Sequence, residues 1–142
     1  MQDHRNIEKQ DKREHLLEVA ERLFAQNGYE AVSIRDLATE AGVNVAMVSY
    51  YFQSKDNLFK TLLENRMPKT RAILEELLAS DITSWEKLSK VIDMYIDKFF
   101  SGRAFHRIIM RELSLQQRPE HVKLIADNMG RNMQIIRAMI EE

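Results

Sequence analysis

Apolar residues recur at helical spacing along almost the whole chain. Leu16, Ala20, Leu23 and Phe24 follow the i, i+4, i+7, i+8 pattern of one buried face, which predicts a first helix from about Asp11 to Asn27, stopped by Gly28. Ser33-Ile34-Arg35-Asp36 has the spacing of a capping box, with Asp in place of the usual Glu, and opens a second helix that turns Ile34, Leu37, Ala38 and Ala41 to the core. Gly42 ends it. Asn44 is a good N-cap for a short third helix over about 45–52. Ser54 caps a fourth, with Leu58, Phe59, Leu62 and Leu63 on one side.

Pro68 ends or kinks that fourth helix, and the helical pattern resumes in KTRAILEELLAS. Ser84 is the predicted cap of a longer helix with Leu88, Val91, Ile92, Tyr95, Ile96 and Phe99 along its apolar stripe. Gly102 interrupts. A very apolar helix follows, with Phe105, Ile108, Ile109, Met110, Leu113 and Leu115, expected to be buried on most sides. Pro119 suits the first turn of a last helix with Val122, Leu124, Ile125, Met129, Met133, Ile136 and Ile140 inside. That helix receives no stop signal before Glu142, so the chain is expected to be incomplete there or to dock on a partner.

Composition narrows the fold to an all-α class. Four Gly and two Pro in 142 residues are too few for an all-β chain, which needs a turn every 8–12 residues or so. The chain is long enough for a small head and a second helical layer. It has no Cys, which excludes disulfides, thiolate metal sites and cysteine nucleophiles and fits an intracellular compartment. The charged N-terminus MQDHRNIEKQDKRE is no signal peptide, and no apolar run approaches the roughly 18 residues of a membrane span. A soluble, cytoplasmic protein is expected. Charge does not favour DNA: residues 1–66 hold nine Lys and Arg against eleven Asp and Glu, a balance of −2. Any DNA binding must come from where charges sit.

Residues 33–52, SIRDLATEAGVNVAMVSYYF, carry the function. A capped helix of about two turns meets a tight turn at Ala41-Gly42-Val43 and then a second capped helix, the grammar of a helix-turn-helix. Ala38 lets the helices cross closely, and Val43 and Val48 plug the joint. The first turn of the second helix is small enough to enter a groove about 12 Å wide. Asn44 can bond a base or phosphate, while Val45, Ala46 and Met47 can touch thymine methyls. Tyr50 and Tyr51 offer hydroxyls to phosphates. Lys55, in the first turn of the fourth helix, adds a cation beside free backbone N–H groups. Arg35 points the same way. The bland alternative is a helical protein-interaction module that uses 33–52 only as scaffold, and it leaves Tyr50, Tyr51 and Lys55 without a shared role.

Residues 13–63 resemble the DNA-binding domain of the TetR/AcrR family of repressors. The resemblance rests on Leu23-Phe24…Gly28-Tyr29, Ser33-Ile34-Arg35-Asp36-Leu37-Ala38, Ala41-Gly42-Val43, Tyr51-Phe52, Ser54-Lys55 and Leu58-Phe59, in that order. It implies that Ser33 and Arg35 touch phosphate or base, that Asn44, Val45, Ala46 and Met47 read bases, and that Tyr50, Tyr51 and Lys55 clamp phosphates. Ser49 stands where many members have Tyr, which shifts a contact toward Tyr50. Val45 stands where a polar residue is common, which makes readout there apolar.

The organisation expected is therefore a three-helix DNA-binding domain over 1–53, with a flexible arm at 1–10, and a helical ligand-binding and dimerisation domain over 54–142. The resemblance further implies a homodimer on a palindromic double-stranded operator and a repressor released by a small-molecule effector. Tyr95, Phe99, Phe105, Ile109, Met110, Met129 and Met133 are candidates to line an apolar ligand site. No enzyme signature appears. His4, His15, His106 and His121 form no H-E-x-x-H pair, and there is no G-x-S-x-G and no phosphate loop. No catalytic residue, metal site or cofactor is expected.

Overall fold

A computed structural model describes residues 2–101 and 103–142, without the side chains of residues 2–4 and 7. Among the described residues it is all-helical, with α1 (Gln2–Asn27), α2 (Ile34–Ala41), α3 (Val45–Phe52), α4 (Lys55–Arg66), α5 (Pro68–Ala79), α6 (Ser84–Phe100), α7 (Ala104–Leu115) and α8 (Pro119–Glu141). Gly102, expected as the interruption between α6 and α7, lies outside the described residues, as do Met1 and the His4 side chain. The chain divides into two compact units, Met1–Leu62 and Leu63–Glu142. The whole 1–53 segment falls within the first. None of the described helices is long and apolar enough to cross a membrane.

The first unit follows its sequence closely. Leu16, Leu17, Ala20 and Phe24 of α1 are buried, together with Leu37 and Ala38 of α2, Val48 and Phe52 of α3, and Leu58, Phe59 and Leu62 of α4. The rings of Phe24, Tyr29 and Phe59 close the far end, with centroids 5.1 Å apart for Phe24–Phe59 and for Tyr29–Phe59. Such edge-to-face contacts add to the area they bury. Helix α1 begins well before the Asp11 start expected. Its first turns carry no apolar stripe, but Gln, Glu, Lys and Arg are good helix formers and nothing there breaks the helix.

The second unit departs from the apolar pattern. Leu74, Val91, Ile136 and Met139 form its buried cluster, with Leu77, Leu78, Leu88, Met94, Tyr95 and Ile135 packed around them. The buried face of α8 is His121, Ile125, Asn128, Asn132, Ile136 and Met139. Met129, Met133 and Ile140, expected inside, are exposed. Two stripes of α8 have helical spacing, and the one with two asparagines faces inward because its amides find polar partners on α5 and α6. In the same way Ile92, Ile96 and Phe99 of α6 are exposed, while Lys87 is buried through bonds to Leu78 O and Glu142. Helix α7 buries only Ile108 and Glu112, so it is not enclosed on most sides. The cap of α6 is Thr83, not Ser84, because Thr83 and Glu86 have the spacing of a capping box and make both of its bonds.

Candidate nucleic-acid interface

The helix-turn-helix is built by local bonds that the sequence dictates. Ser33 Oγ accepts from Asp36 N at 3.0 Å, and Ser33 N donates to Asp36 Oδ2 at 2.7 Å. The Ser33 backbone N–H foremost, and then the Ser33 hydroxyl, bond the Asp36 carboxyl and hold it below its usual range. Gly42 turns the chain at φ 69°, a left-handed conformation that costs Gly nothing, and Val43 N donates to Ala38 O at 3.0 Å. His15 of α1 places its Nε2 3.2 Å from Ala41 O, and Arg22 pairs with Glu40 at 2.7 Å. Helix α2 is thereby tied to α1, and α3 crosses it over the buried Val48.

Helix α3 ends in a second tight turn. Gln53 sits at φ 64°, ψ −45°, and Ser54 N donates to Phe52 O at 2.7 Å. This is a γ-turn of the rare, strained kind. Asn57 holds it, donating Nδ2 to Phe52 O at 2.8 Å and to Gln53 Oε1 at 3.0 Å. The end of α3 is thus fixed by α4.

The outer face of α3 carries the expected readers. Asn44, Val45, Ala46, Ser49 and Tyr50 are exposed, and Met47 and Tyr51 are half-buried. Asn44 is already in use as the cap: its Oδ1 accepts from Met47 N at 2.8 Å, which leaves its amide nitrogen as the outward donor. Ser33 and Arg35 are exposed at the start of α2. Tyr50 is 66% exposed and its ring meets that of Tyr51 edge-on at 5.2 Å. Lys55 is placed differently from its neighbours. Its ammonium donates to Tyr29 O at 3.0 Å and lies 4.2 Å from the centroid of the Tyr29 ring, so it is committed to the unit itself.

Sequence reasoning missed one wall of this face. A cleft of about 380 Å³ is lined by Arg5, Glu8, Lys9 and Lys12 of α1 and by Asn44, Met47, Tyr50 and Tyr51. Lys9 Nζ reaches the Tyr50 hydroxyl at 3.5 Å, and the Arg13 guanidinium stands 5.3 Å from the Phe52 ring centroid. Arg5, Lys9, Lys12 and Arg13 follow the i, i+4, i+7, i+8 spacing. The rule that found the apolar faces would have found this basic one had it been applied to charge. A domain with a balance of −2 thus gathers cations beside the one face where a polyanion would need them.

The apolar residues expected around a ligand are not core residues. In the second unit Phe99, Met110, Met129 and Met133 are exposed, and Tyr95, Phe105 and Ile109 are half-buried.

Residues 16–62 match the model of the bacterial regulatory proteins of the tetR family. Over 103 residues the chain is 30% identical to the "Probable HTH-type transcriptional regulator YttP" of Bacillus subtilis, covering 70% of this chain and 49% of that protein. It is 26% identical over 113 residues to the HTH-type transcriptional repressor KstR2 of Rhodococcus jostii, covering 78% of this chain and 55% of that one. The chain thus spans about half the length of these relatives. A solved Clostridium perfringens protein, provisionally described as a fatty acid metabolism regulator, superposes with a TM-score of 0.75 at 22% identity, over 89% of this chain and 70% of that one. At that identity the likeness speaks for the fold.

Proposed function

Because its N-terminal domain places this chain in the tetR family of bacterial regulatory proteins, we propose that it is a sequence-specific DNA-binding transcriptional regulator. It acts as a repressor, as a homodimer on an inverted-repeat operator in the cytoplasm, and is released by a small-molecule effector. The observation that carries this reading is the juxtaposition of an exposed α3 face with the basic side of α1 across the Tyr50 cleft.

The roles follow from chemistry. Val45, Ala46 and Met47 offer apolar contact to thymine methyls, and the Asn44 amide nitrogen donates to a base acceptor. Ser33 lies exposed at the start of α2, where its hydroxyl can turn from Asp36 to a phosphate. Arg35, Ser49, Tyr50 and Tyr51 complete the phosphate contacts. Arg5, Lys9 and Lys12 add charge from the side. Lys55 contributes by holding Tyr29 and the start of α4. The interaction-module alternative makes no use of the basic side of α1.

Fluorescence anisotropy of a labelled DNA fragment at a series of salt concentrations tests the reading. Log affinity should fall linearly with log salt, by about 0.9 for each phosphate neutralised. Lys9→Ala and Lys12→Ala should each flatten the slope by about one. A flat salt dependence in the wild-type protein would favour the interaction-module alternative.

A further inference from the structure

Among the described residues, two other than glycine have positive φ, Gln53 and Gln116. Gln116 ends α7 at φ 49° and ψ 28°, in the ordinary left-handed well. Gln53 does not share that well. Its φ of 64° goes with a ψ of −45°, where an L side chain is strained. Such strain persists only where the surrounding contacts over-determine it.

The contacts come from Asn57, in the first turn of α4. Its Nδ2 donates to Phe52 O at 2.8 Å and to Gln53 Oε1 at 3.0 Å. Asn57 is itself held. Its backbone N donates to Ser54 Oγ at 3.0 Å, and Leu58 and Phe59 beside it are buried. Lys55 ties the same turn to Tyr29 O at 3.0 Å. The clamp therefore stands on a fixed base.

What it holds is the last turn of α3. That helix has only eight residues, and so short a helix is marginal by itself. Gln53 N donates to Ser49 O at 2.9 Å, so the strained residue also closes the last bond of the helix. Tyr50 and Tyr51 ride on this turn. Phosphate contacts carry no sequence information, but they set the register in which base edges are met. Gln53 and Asn57 are both exposed, and neither belongs to the core.

We propose that Asn57 is a positioning residue for sequence reading. It acts through the Phe52–Gln53 turn, holding Tyr50 and Tyr51 so that the start of α3 meets the bases in one register. Non-specific binding, to which Arg5, Lys9 and Lys12 contribute charge, does not depend on it. The inference rests on the DNA-reading proposal above and adds to it a residue outside α3.

Fluorescence anisotropy at one salt concentration tests it, with a duplex that the wild-type protein selects from a genomic DNA pool and a scrambled duplex of the same composition. In Asn57→Ala the affinity for the selected duplex should fall about fivefold, the worth of one hydrogen bond. Affinity for the scrambled duplex and melting temperature should not change, since Ala is the better helix former in α4. Adding Gln53→Gly should restore most of the lost preference, because Gly adopts φ 64° without strain. Loss without that rescue would show that Asn57 touches DNA itself. That result, an equal loss on both duplexes, or an unchanged preference in Asn57→Ala would each overturn the inference. Amide exchange of Gln53 and Ser54 in the DNA-free protein separates it from the regulator reading. Exchange should quicken about fivefold in Asn57→Ala, and unchanged exchange would overturn the inference while leaving the regulator reading intact. A wild type that selects no motif would overturn the regulator reading and, with it, the role assigned to Asn57.

Discussion

Tyr50 and Lys55 share a short stretch of sequence, and both were expected at phosphates. Tyr50 is exposed, with Lys9 near its hydroxyl. Lys55 spends its ammonium on Tyr29. The two should therefore respond differently to mutation. Tyr50→Ala should lower DNA affinity about tenfold, roughly 1.4 kcal/mol, with no change in melting temperature. Lys55→Ala should lower stability by about 1.5 kcal/mol, through a lost charge-assisted bond and a lost cation–π contact. Anisotropy and thermal melts on the same two variants separate these effects. Glu112 supplies a further residue-level test. Burial alone would raise its carboxyl, but bonds from His121 and Arg118 outweigh it and hold the pKa below the ordinary 4.5. A depressed carboxyl stabilises the fold above its unfolded value, and that stability is lost as pH falls below 4.5 through the folded value. Glu112→Gln should cost about 3 kcal/mol near neutral pH and should flatten the acid limb of the stability curve. Urea denaturation at several pH values measures both. None of the Glu112 network was legible in the sequence, because Glu112 meets Arg118 and His121 only once α7 and α8 pack.

Elements were legible where local chemistry decides them. Helices α2 and α3 lie where their caps placed them, since Ser33, Gly42 and Asn44 act through bonds a few residues long. Ser33→Ala should cost about 1 kcal/mol of stability by removing one of these, which equilibrium unfolding would detect. Elements decided by partners were less legible. Helix α8 carries two plausible inner stripes, and the apolar one with Met129 and Met133 faces out. Only the partners Arg71 and Tyr95 make the Asn128 and Asn132 stripe the buried one. The α6 cap illustrates the same limit at short range, because Ser84 is as good a cap as Thr83 until Glu86 chooses between them. The basic face of α1 is legible as well, because Arg5, Lys9, Lys12 and Arg13 share the helical period that marks an apolar face.

For the whole molecule, net charge and composition say little about DNA binding, and placement says much. A head with a balance of −2 can hold DNA only by a few placed groups, so its binding should be sequence-dependent as well as salt-dependent. The central claim is that the α3 face reads a particular sequence. Selection of fragments from a genomic DNA pool by the immobilised protein, followed by sequencing, tests it most directly. The wild-type protein should enrich fragments that share one motif in inverted repeat, and a variant with Asn44→Ser, which keeps a capping oxygen but removes the amide donor, and Val45→Ala, at an exposed position, should lose that enrichment while keeping its melting temperature. Enrichment of no common motif, or recovery of the same motif by the variant, would contradict the claim.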